Sequence, residues 1–416
     1  VLLQCMIAAL VIKHSPIRLQ LLLIDFKGGA SLAMFEPLPH TVGFVTDLEG
    51  RLAERAMTAI KSEIRYRKTI LRQAAVQNIT EYREKAALEQ LPPLANLIIV
   101  IDEFDEMAKF YAEFVTELVR VVKQGRSLGV HLLLATQQPS KAVTDEIRTQ
   151  LKFFIALRLG SSEDSREMML KPDAAFLPTD IPGRAYFRVG AEMELFQVAQ
   201  ITSEYHQPGQ SQALLPAVKL RSQGAEKTPK PVAPKEKKET DLDVLVRALA
   251  AVGDSMLIAE KLRSGWECRP IWQPPLPSRL TLAEEVALTV DSIPQLWQSQ
   301  PSGSQWLEAV IGRLDIPQMS HQEPLTLRLA DGHVAITGSP SSGKTTLLRT
   351  LILSLATTHG ADDLCFYAID AGGQGLSTLS QQIKQIAPAL GAPVAGVNGD
   401  FYQRDRENQG HERDRS

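Results

Sequence analysis

Two rhythms of apolar residues alternate along this chain. Leu21–Asp25, Leu97–Asp102 and Val130–Ala135 are short apolar runs with little polar interruption, the pattern of strands buried on both faces of a parallel sheet. Between them, residues 48–89 contain no Gly or Pro beyond Gly50 and predict one or two long helices. After Asp102, Met107, Phe110, Phe114, Leu118 and Val122 recur every three or four positions. That spacing predicts an amphipathic helix with those side chains in the core. Further strands are expected at Phe153–Leu159, Ala185–Val189 and Glu194–Ala199, the last two as an antiparallel edge hairpin across Gly190 and Ala191. Strand and helix in alternation predict an α/β fold with a mostly parallel sheet flanked by helices.

The pattern lapses at residues 207–240, where lysine and proline crowd out apolar residues and an extended linker is expected. A helix follows over Asp241–Leu262, with Asp241 and Asp243 at its start as caps, then a proline-locked strap over Arg269–Pro277. Trp306–Leu329 leads into a second strand–loop–helix pattern: His333–Thr337, then Gly338–Thr345, then a helix from Thr346 to Leu355.

This second pattern repeats the first. Leu2, Ile7, Leu10, His14, Leu19, Ile24, Asp25 and Gly28 match Leu347, Ile352, Leu355, His359, Leu364, Ile369, Asp370 and Gly373 without a gap, so the chain holds parts of two copies of one domain. Carried back at the same offset, Lys344 and Thr345 have no counterparts within the sequence. The expected organisation is a first domain over 1–206, the linker over 207–240, an inter-domain helix and strap over 241–330, the start of a second domain over 331–385 and an irregular tail over 386–416. The absence of an initiator Met, with a start inside a helix, reads as a fragment.

Composition narrows the class. The 416 residues are 44% apolar and 22% charged with net charge −3, as in a soluble globular protein and without the basic excess of a nucleic-acid binder. Cys5, Cys268 and Cys365 lack metal-ligand spacing, and a reducing cytoplasmic setting is expected. No apolar run is long enough to span a bilayer, so any membrane anchor is expected outside this sequence.

The chemistry-bearing motif is Gly338, Ser339, Pro340, Ser341, Ser342, Gly343, Lys344, Thr345 and Thr346. Its glycines let backbone N–H groups curl round phosphate oxygens, Lys344 brings a point charge to the β/γ-phosphates, and the Thr345 hydroxyl can ligate Mg²⁺. Strand Leu97–Asp102 ends in Asp102 and Glu103, suited to hold the Mg²⁺ hydration shell and to polarise an attacking water. A buried strand closed by two surface acids is the plainer alternative. A polar residue among Thr136, Gln137 and Gln138, at the end of the next strand, is placed to sense the γ-phosphate or that water; a simple turn before Pro139 is the other reading.

Together with Ile24–Gly29, Ile101–Phe104, Gly125–His131 leading into Ala135–Pro139, Asp164–Arg166, Ile271–Leu276 and Asp370–Gly375, these residues resemble the FtsK/SpoIIIE-type motor ATPases. Among them the resemblance is to the tandem ATPases of type VII (Esx) secretion, the EccC/EssC group. It covers residues 1 to about 380 except the linker; the family commonly has Arg where this chain has Gln138. The resemblance implies P-loop NTPase (RecA-like) domains, ATP and Mg²⁺ as cofactors, and a self-assembled ring, hexameric in the intact parent. It further implies secretion-membrane components and small helical Esx-type substrates as partners, and a site on the cytoplasmic side of the cell membrane. Asp102 takes the Mg²⁺-side acid, Glu103 the catalytic base, Gln137 the sensor, and Arg55 the arginine lent to a neighbouring subunit, with Arg51 and Arg65 as alternatives and an ordinary surface arginine as the bland reading. A DNA translocase and a non-hydrolysing nucleotide-binding scaffold compete with the secretion motor. With the P-loop in one copy and the acids in the other, weak turnover is expected of this chain.

Overall fold

The computed structural model describes residues 1–26, 28, 31–46, 51–205, 239–264, 266–286, 306–360 and 363–366. They fall into two compact units, residues 1–273 with 317–320, and residues 274–316 with 321 onward. The expected linker over 207–240 lies almost wholly outside the described residues, as do the strand end Asp370, Gly373, Gly375 and the tail.

The first unit opens with helix α1 (Leu2–Lys13), then β1 (Leu19–Asp25) and β2 (Thr41–Thr46), α2 (Arg51–Gln73), α3 (Ile79–Glu89) and β3 (Asn96–Asp102). Next come α4 (Phe104–Phe110), α5 (Ala112–Leu128) and β4 (Val130–Leu134). The four strands form a parallel sheet in the order β2-β1-β3-β4. Every residue of β1 is buried, because helices cover both faces. Leu22, Ile24, Ile99 and Ile101 pack with Met57 and Ile60 of α2 and with Phe114 and Leu118 of α5. Leu21, Leu23 and Val100 turn the other way, onto Ile7 and Val11 of α1 and onto Leu242 and Val246. The last two belong to helix α9 (Asp241–Ser264), so this helix helps to close the first unit's core.

The element ends have local causes. Asn78 caps α3 by accepting from the N–H groups of Thr80 and Glu81 at 3.0 Å each, and Gly129 ends α5 at φ 69°, the left-handed conformation that glycine adopts without a Cβ penalty. The amphipathic helix expected through Val122 is instead two helices. Tyr111, at φ −134°, ψ 68°, leaves helical geometry and resets the phase, so Phe110 is 68% exposed while Met107, Phe114 and Leu118 are buried.

After β4 come two short helices, α6 (Pro139–Ala142) and α7 (Asp145–Gln150), then β5 (Phe153–Ala156), α8 (Ser162–Met169), β6 (Arg184–Val189), β7 (Glu192–Gln197) and α9 (Asp241–Ser264). The hairpin across Gly190 is present, but it pairs with β5 in a separate antiparallel sheet of order β5-β6-β7 and does not extend the parallel one. Its own small core of Phe154, Ala156, Met169, Ala174 and Leu177 holds it. The cap of α9 also differs from expectation: the Thr240 hydroxyl accepts from the Asp243 N–H at 3.2 Å, and Asp243 accepts in return from Thr240, a reciprocal capping box.

The strap's start, as far as Gln273, belongs to the first unit and is bound into it. The N–H groups of Ile271 and Trp272 donate to the Val42 carbonyl at 2.8 and 3.2 Å, and Ile271 is 1% exposed. Gly43 is required there, since a Cβ would stand 2.5 Å from the Trp272 Cβ.

In the second unit the described elements are α10 (Leu282–Val286), β8 (Glu308–Ile316), β9 (His321–Arg328) and α11 (Lys344–Thr358). Strands β8 and β9 form an antiparallel pair. Helix α11 packs on β8, its Ser354 hydroxyl accepting from the Val310 N–H at 2.8 Å. The run 333–337, expected as a strand, forms no strand among the described residues. The repeat's counterpart of β1, 364–370, is described only to 366.

A buried charge centre knits the first unit and was not foreseen. Arg67 of α2 is 1% exposed; it binds Glu63 at 2.7 Å and donates to the carbonyls of Ala95 at 2.8 Å and Leu128 at 3.0 Å. The second Glu63 oxygen takes Arg269 of the strap at 2.6 Å. Arg67→Met leaves the buried Glu63 with Arg269 alone and strips a donor from the Ala95 and Leu128 carbonyls, so it is expected to cost roughly 3–5 kcal/mol. Breaking the solvent-accessible Lys61–Glu117 pair, 3.3 Å apart with Lys61 exposed and Glu117 half-buried, is expected to cost less than about 1 kcal/mol. Urea unfolding of the two variants checks the contrast.

Candidate functional site

The carboxyl ends of β1, β3 and β4 bring the sequence-predicted acids together. Parallel pairing sets Asp25 beside Asp102 in register, so the two apolar strands deliver their terminal carboxylates to one point on the sheet edge. The Ser31 hydroxyl lies between them, 2.6 Å from Asp102 Oδ2 and 2.9 Å from Asp25 Oδ2. Asp102 Oδ1 accepts from the Glu103 N–H at 3.1 Å. Both oxygens of Asp102 are thus oriented by first-unit groups, as a carboxylate must be before it can organise a metal's water shell.

Glu103 sits at φ 55°, ψ 46°, left-handed backbone that costs a non-glycine residue about 1–2 kcal/mol. The residue that follows explains why the turn holds: the Phe104 N–H donates to the Ala135 carbonyl at 2.8 Å, and Phe104 is fully buried. The turn re-aims the Glu103 carboxylate away from the helix it precedes. There Gln137 meets it, Nε2 to Oε1 at 2.7 Å. Asp102, Glu103 and Gln137 therefore occupy one edge. The position of Gln137 beside an acid is chemical as well as structural, because an amide that holds the carboxylate can also report what binds next to it.

Arg55 lies on α2, its Nε donating to the Gln273 carbonyl at 2.8 Å and its guanidinium 5.8 Å from the Trp272 ring centre. Arg65, the other described candidate, is exposed on the same helix. Asp25 and Ser31 were not singled out as site residues; the signal was the apolar strand ending in an acid, which recurs at Asp370. Asp105 had no sequence signal, since nothing marks a helical acid as buried.

The glycine-rich loop belongs to the second unit. Gly343 adopts φ 98° and caps α11, which begins at Lys344. Gly338 is packed so closely that a Cβ would stand 2.4 Å from Ser342 Oγ, and the Lys344 ammonium folds back to donate to the carbonyls of Gly338 and Ser339, both at 2.7 Å. The loop is curled over the helix start, with first-turn N–H groups, the helix dipole and a lysine converging. These residues fit a polyphosphate, and the exposed Thr345 hydroxyl in that first turn is of the type that ligates Mg²⁺.

The two copies agree in detail. Helix α1 ends at Lys13 and α11 at Thr358, the matching position; His14 and His359 then turn to extended backbone, at φ −127° and −118°. Each donates its N–H to the leucine four residues back, at 3.1 and 2.9 Å.

Comparison with known proteins follows the same lines. The FtsK/SpoIIIE family model matches residues 1–172 and 296–394. Type VII secretion system protein EssC of Staphylococcus aureus is 34% identical over 397 residues, covering 90% of this chain and 25% of that protein. ESX secretion system protein EccC of Thermomonospora curvata is 33% identical over 435 residues, 98% of this chain and 32% of that protein. The chain thus spans a quarter to a third of these relatives. The solved cytoplasmic domain of the T. curvata type VII secretion ATPase EccC matches with TM-score 0.67 and 32% identity, over 91% of this chain and 40% of that one. EssC ATPases 2 and 3 of Geobacillus thermodenitrificans share the fold, with TM-score 0.60 at 17% identity over 93% of this chain and 65% of that one.

The strain at Glu103 yields a direct check. Glu103→Gly relieves the left-handed penalty and Glu103→Ala keeps it, so the glycine variant is expected to be the more stable of the two by about 1 kcal/mol. Denaturant midpoints of the pair decide it; equal midpoints would mean that the backbone there is unstrained.

Proposed function

Since the chain belongs to the FtsK/SpoIIIE family, we propose that it is part of a type VII secretion motor, an ATP-binding segment that couples nucleotide binding and hydrolysis to protein export. The observation that carries the ATP reading is the curled loop Gly338–Thr346 at the head of α11, with Lys344 drawn into it. The secretion reading rests on kinship with the EccC and EssC proteins.

In this reading Gly338, Ser339, Pro340, Ser341, Ser342 and Gly343 wrap the phosphates, Lys344 neutralises the β/γ charge, and Thr345 with Thr346 opens the helix beneath them. Mg²⁺ would be held by Thr345 in the second copy's own site, with Asp102 as the acid of the first copy's site; the ion would draw charge from the phosphates. Glu103 accepts the proton of the attacking water and Gln137 fixes that carboxylate's direction. Arg55, carried by α2, is the arginine proposed to serve a neighbouring subunit in a ring of six; such an arginine contributes about 10³ to 10⁵ in rate. Secretion-membrane components anchor the ring on the cytoplasmic side of the membrane, and small helical Esx-type proteins are its substrates. No described helix is long and apolar enough to cross a membrane.

A DNA-translocase reading finds less support: net charge is −3, and the relatives named above are secretion proteins.

Fluorescent ATP is expected to bind this chain in the presence of Mg²⁺, and Lys344→Ala is expected to weaken that binding at least tenfold, the factor of a lost charge-assisted contact of about 1.5–3 kcal/mol. Equal binding by wild type and variant would overturn the assignment of the loop. Phosphate release by the chain alone should stay near background. Brisk release that disappears in Lys344→Ala would contradict the division of the two half-sites.

A further inference from the structure

The loop that follows β4 is fastened to the start of α4 by a carboxylate outside the family's acid pair. Asp105, one turn beyond β3, is 3% exposed. Its Oδ1 accepts from the Thr136 hydroxyl at 2.9 Å and from the Gln137 N–H at 3.4 Å. The Thr136 oxygen in turn accepts from the Gln138 N–H at 3.2 Å. From the anchored Gln137 backbone, the side chain reaches back 2.7 Å to Glu103. The circuit therefore runs from Asp105 through Thr136 and Gln137 to Glu103, two residues from where it began.

We infer that Asp105 is a positioning residue, which sets the Glu103 carboxylate by holding the Thr136–Gln137 loop that grips it. This inference rests on the ATPase reading of the same sheet edge, but its hydrogen bonds are tested without nucleotide. Three considerations support it. A buried carboxylate must accept hydrogen bonds or lose several kcal/mol to desolvation, so Asp105 binds the loop tightly and not optionally. Gln137 has an otherwise flexible side chain, and ordering it costs on the order of 1–2 kcal/mol of rotamer entropy, which a fixed backbone reduces. Glu103 is held in strained backbone whose carboxylate has no described hydrogen-bond donor besides Gln137, so its direction depends on that one amide. A capping role alone for Asp105 would leave the Gln137–Glu103 contact indifferent to its removal.

The test uses the whole chain labelled with ¹⁵N-glutamine, with Gln137→Ala identifying the side-chain amide signal. In the wild type the Gln137 NH₂ protons are expected to exchange with solvent roughly tenfold more slowly than those of a free glutamine, the factor of one ordinary hydrogen bond, and Glu103→Ala should abolish this protection. Asp105→Ala should abolish it as fully, although the carboxylate it removes never touches the amide. Thr136→Val, which nearly keeps side-chain volume, should reduce it in the same direction and decides the matter if Asp105→Ala does not fold. Thr136→Ser, which retains the hydroxyl, should restore it. Protection that survives in folded Asp105→Ala or in Thr136→Val overturns the inference, as does a wild-type amide that exchanges like free glutamine. Because no nucleotide is present, failure of the chain to bind ATP would sink the functional reading and leave this result untouched.

Discussion

The constraint on which the first unit depends is the pairing of β1 with β3 in a register that ends both strands on an acid. Both strands are covered on their two faces, by Leu22, Ile24, Ile99 and Ile101 with one set of helices and by Leu21, Leu23 and Val100 with the other. Apolar burial drives the strands together but does not choose a register, because either face tolerates a leucine. The ends choose it. Sliding either strand inward would take Asp25, already buried, or Asp102 away from Ser31 and into hydrocarbon, at a cost of several kcal/mol for an unpaired carboxylate. The same arrangement that makes the register unique places the acids at the sheet's carboxyl edge, where parallel α/β folds bind their ligands.

Around that edge the structure stores a modest strain and fixes it with polar contacts. Glu103 stays left-handed because Phe104 is buried and bonded to Ala135, and its side chain is then aimed by Gln137. The second unit shows a related economy: a left-handed glycine starts α11, and the lysine beside it closes over the loop in front. In the ATP-handling reading, that lysine must leave two carbonyls when phosphate arrives, so the loop is held shaped but its charge is exchangeable.

Much of this was legible in the sequence. The strands over 19–25, 96–102 and 130–134, the long helices before Asn96, and the helix from Lys344 follow from apolar rhythm and caps. The repeat matched His14 with His359, the positions at which α1 and α11 both give way to extended backbone. Asp102, Glu103 and Gln137 could be placed on one edge because strand ends in a parallel sheet converge. What could not be read depended on contacts distant in sequence. The antiparallel sheet of β5, β6 and β7 stands apart because it has its own small core around Met169 and Ala174, which strand pattern does not encode. The break at Tyr111 turns one expected helix face into two and leaves Phe110 in solvent. Arg67 and Asp105 look like surface charges in a helix and become buried only because Glu63, Thr136 and backbone carbonyls far along the chain meet them.

The central claim is that two related modules share one chain, and that the second presents a phosphate-shaped loop at the head of α11. A crystal structure of the chain with ATPγS and Mg²⁺ tests it most directly. The account predicts triphosphate density cradled by Gly338–Thr346, with the Lys344 ammonium moved from the Gly338 and Ser339 carbonyls to the β/γ-phosphates. Nucleotide bound elsewhere, with Lys344 still on those carbonyls, would contradict it.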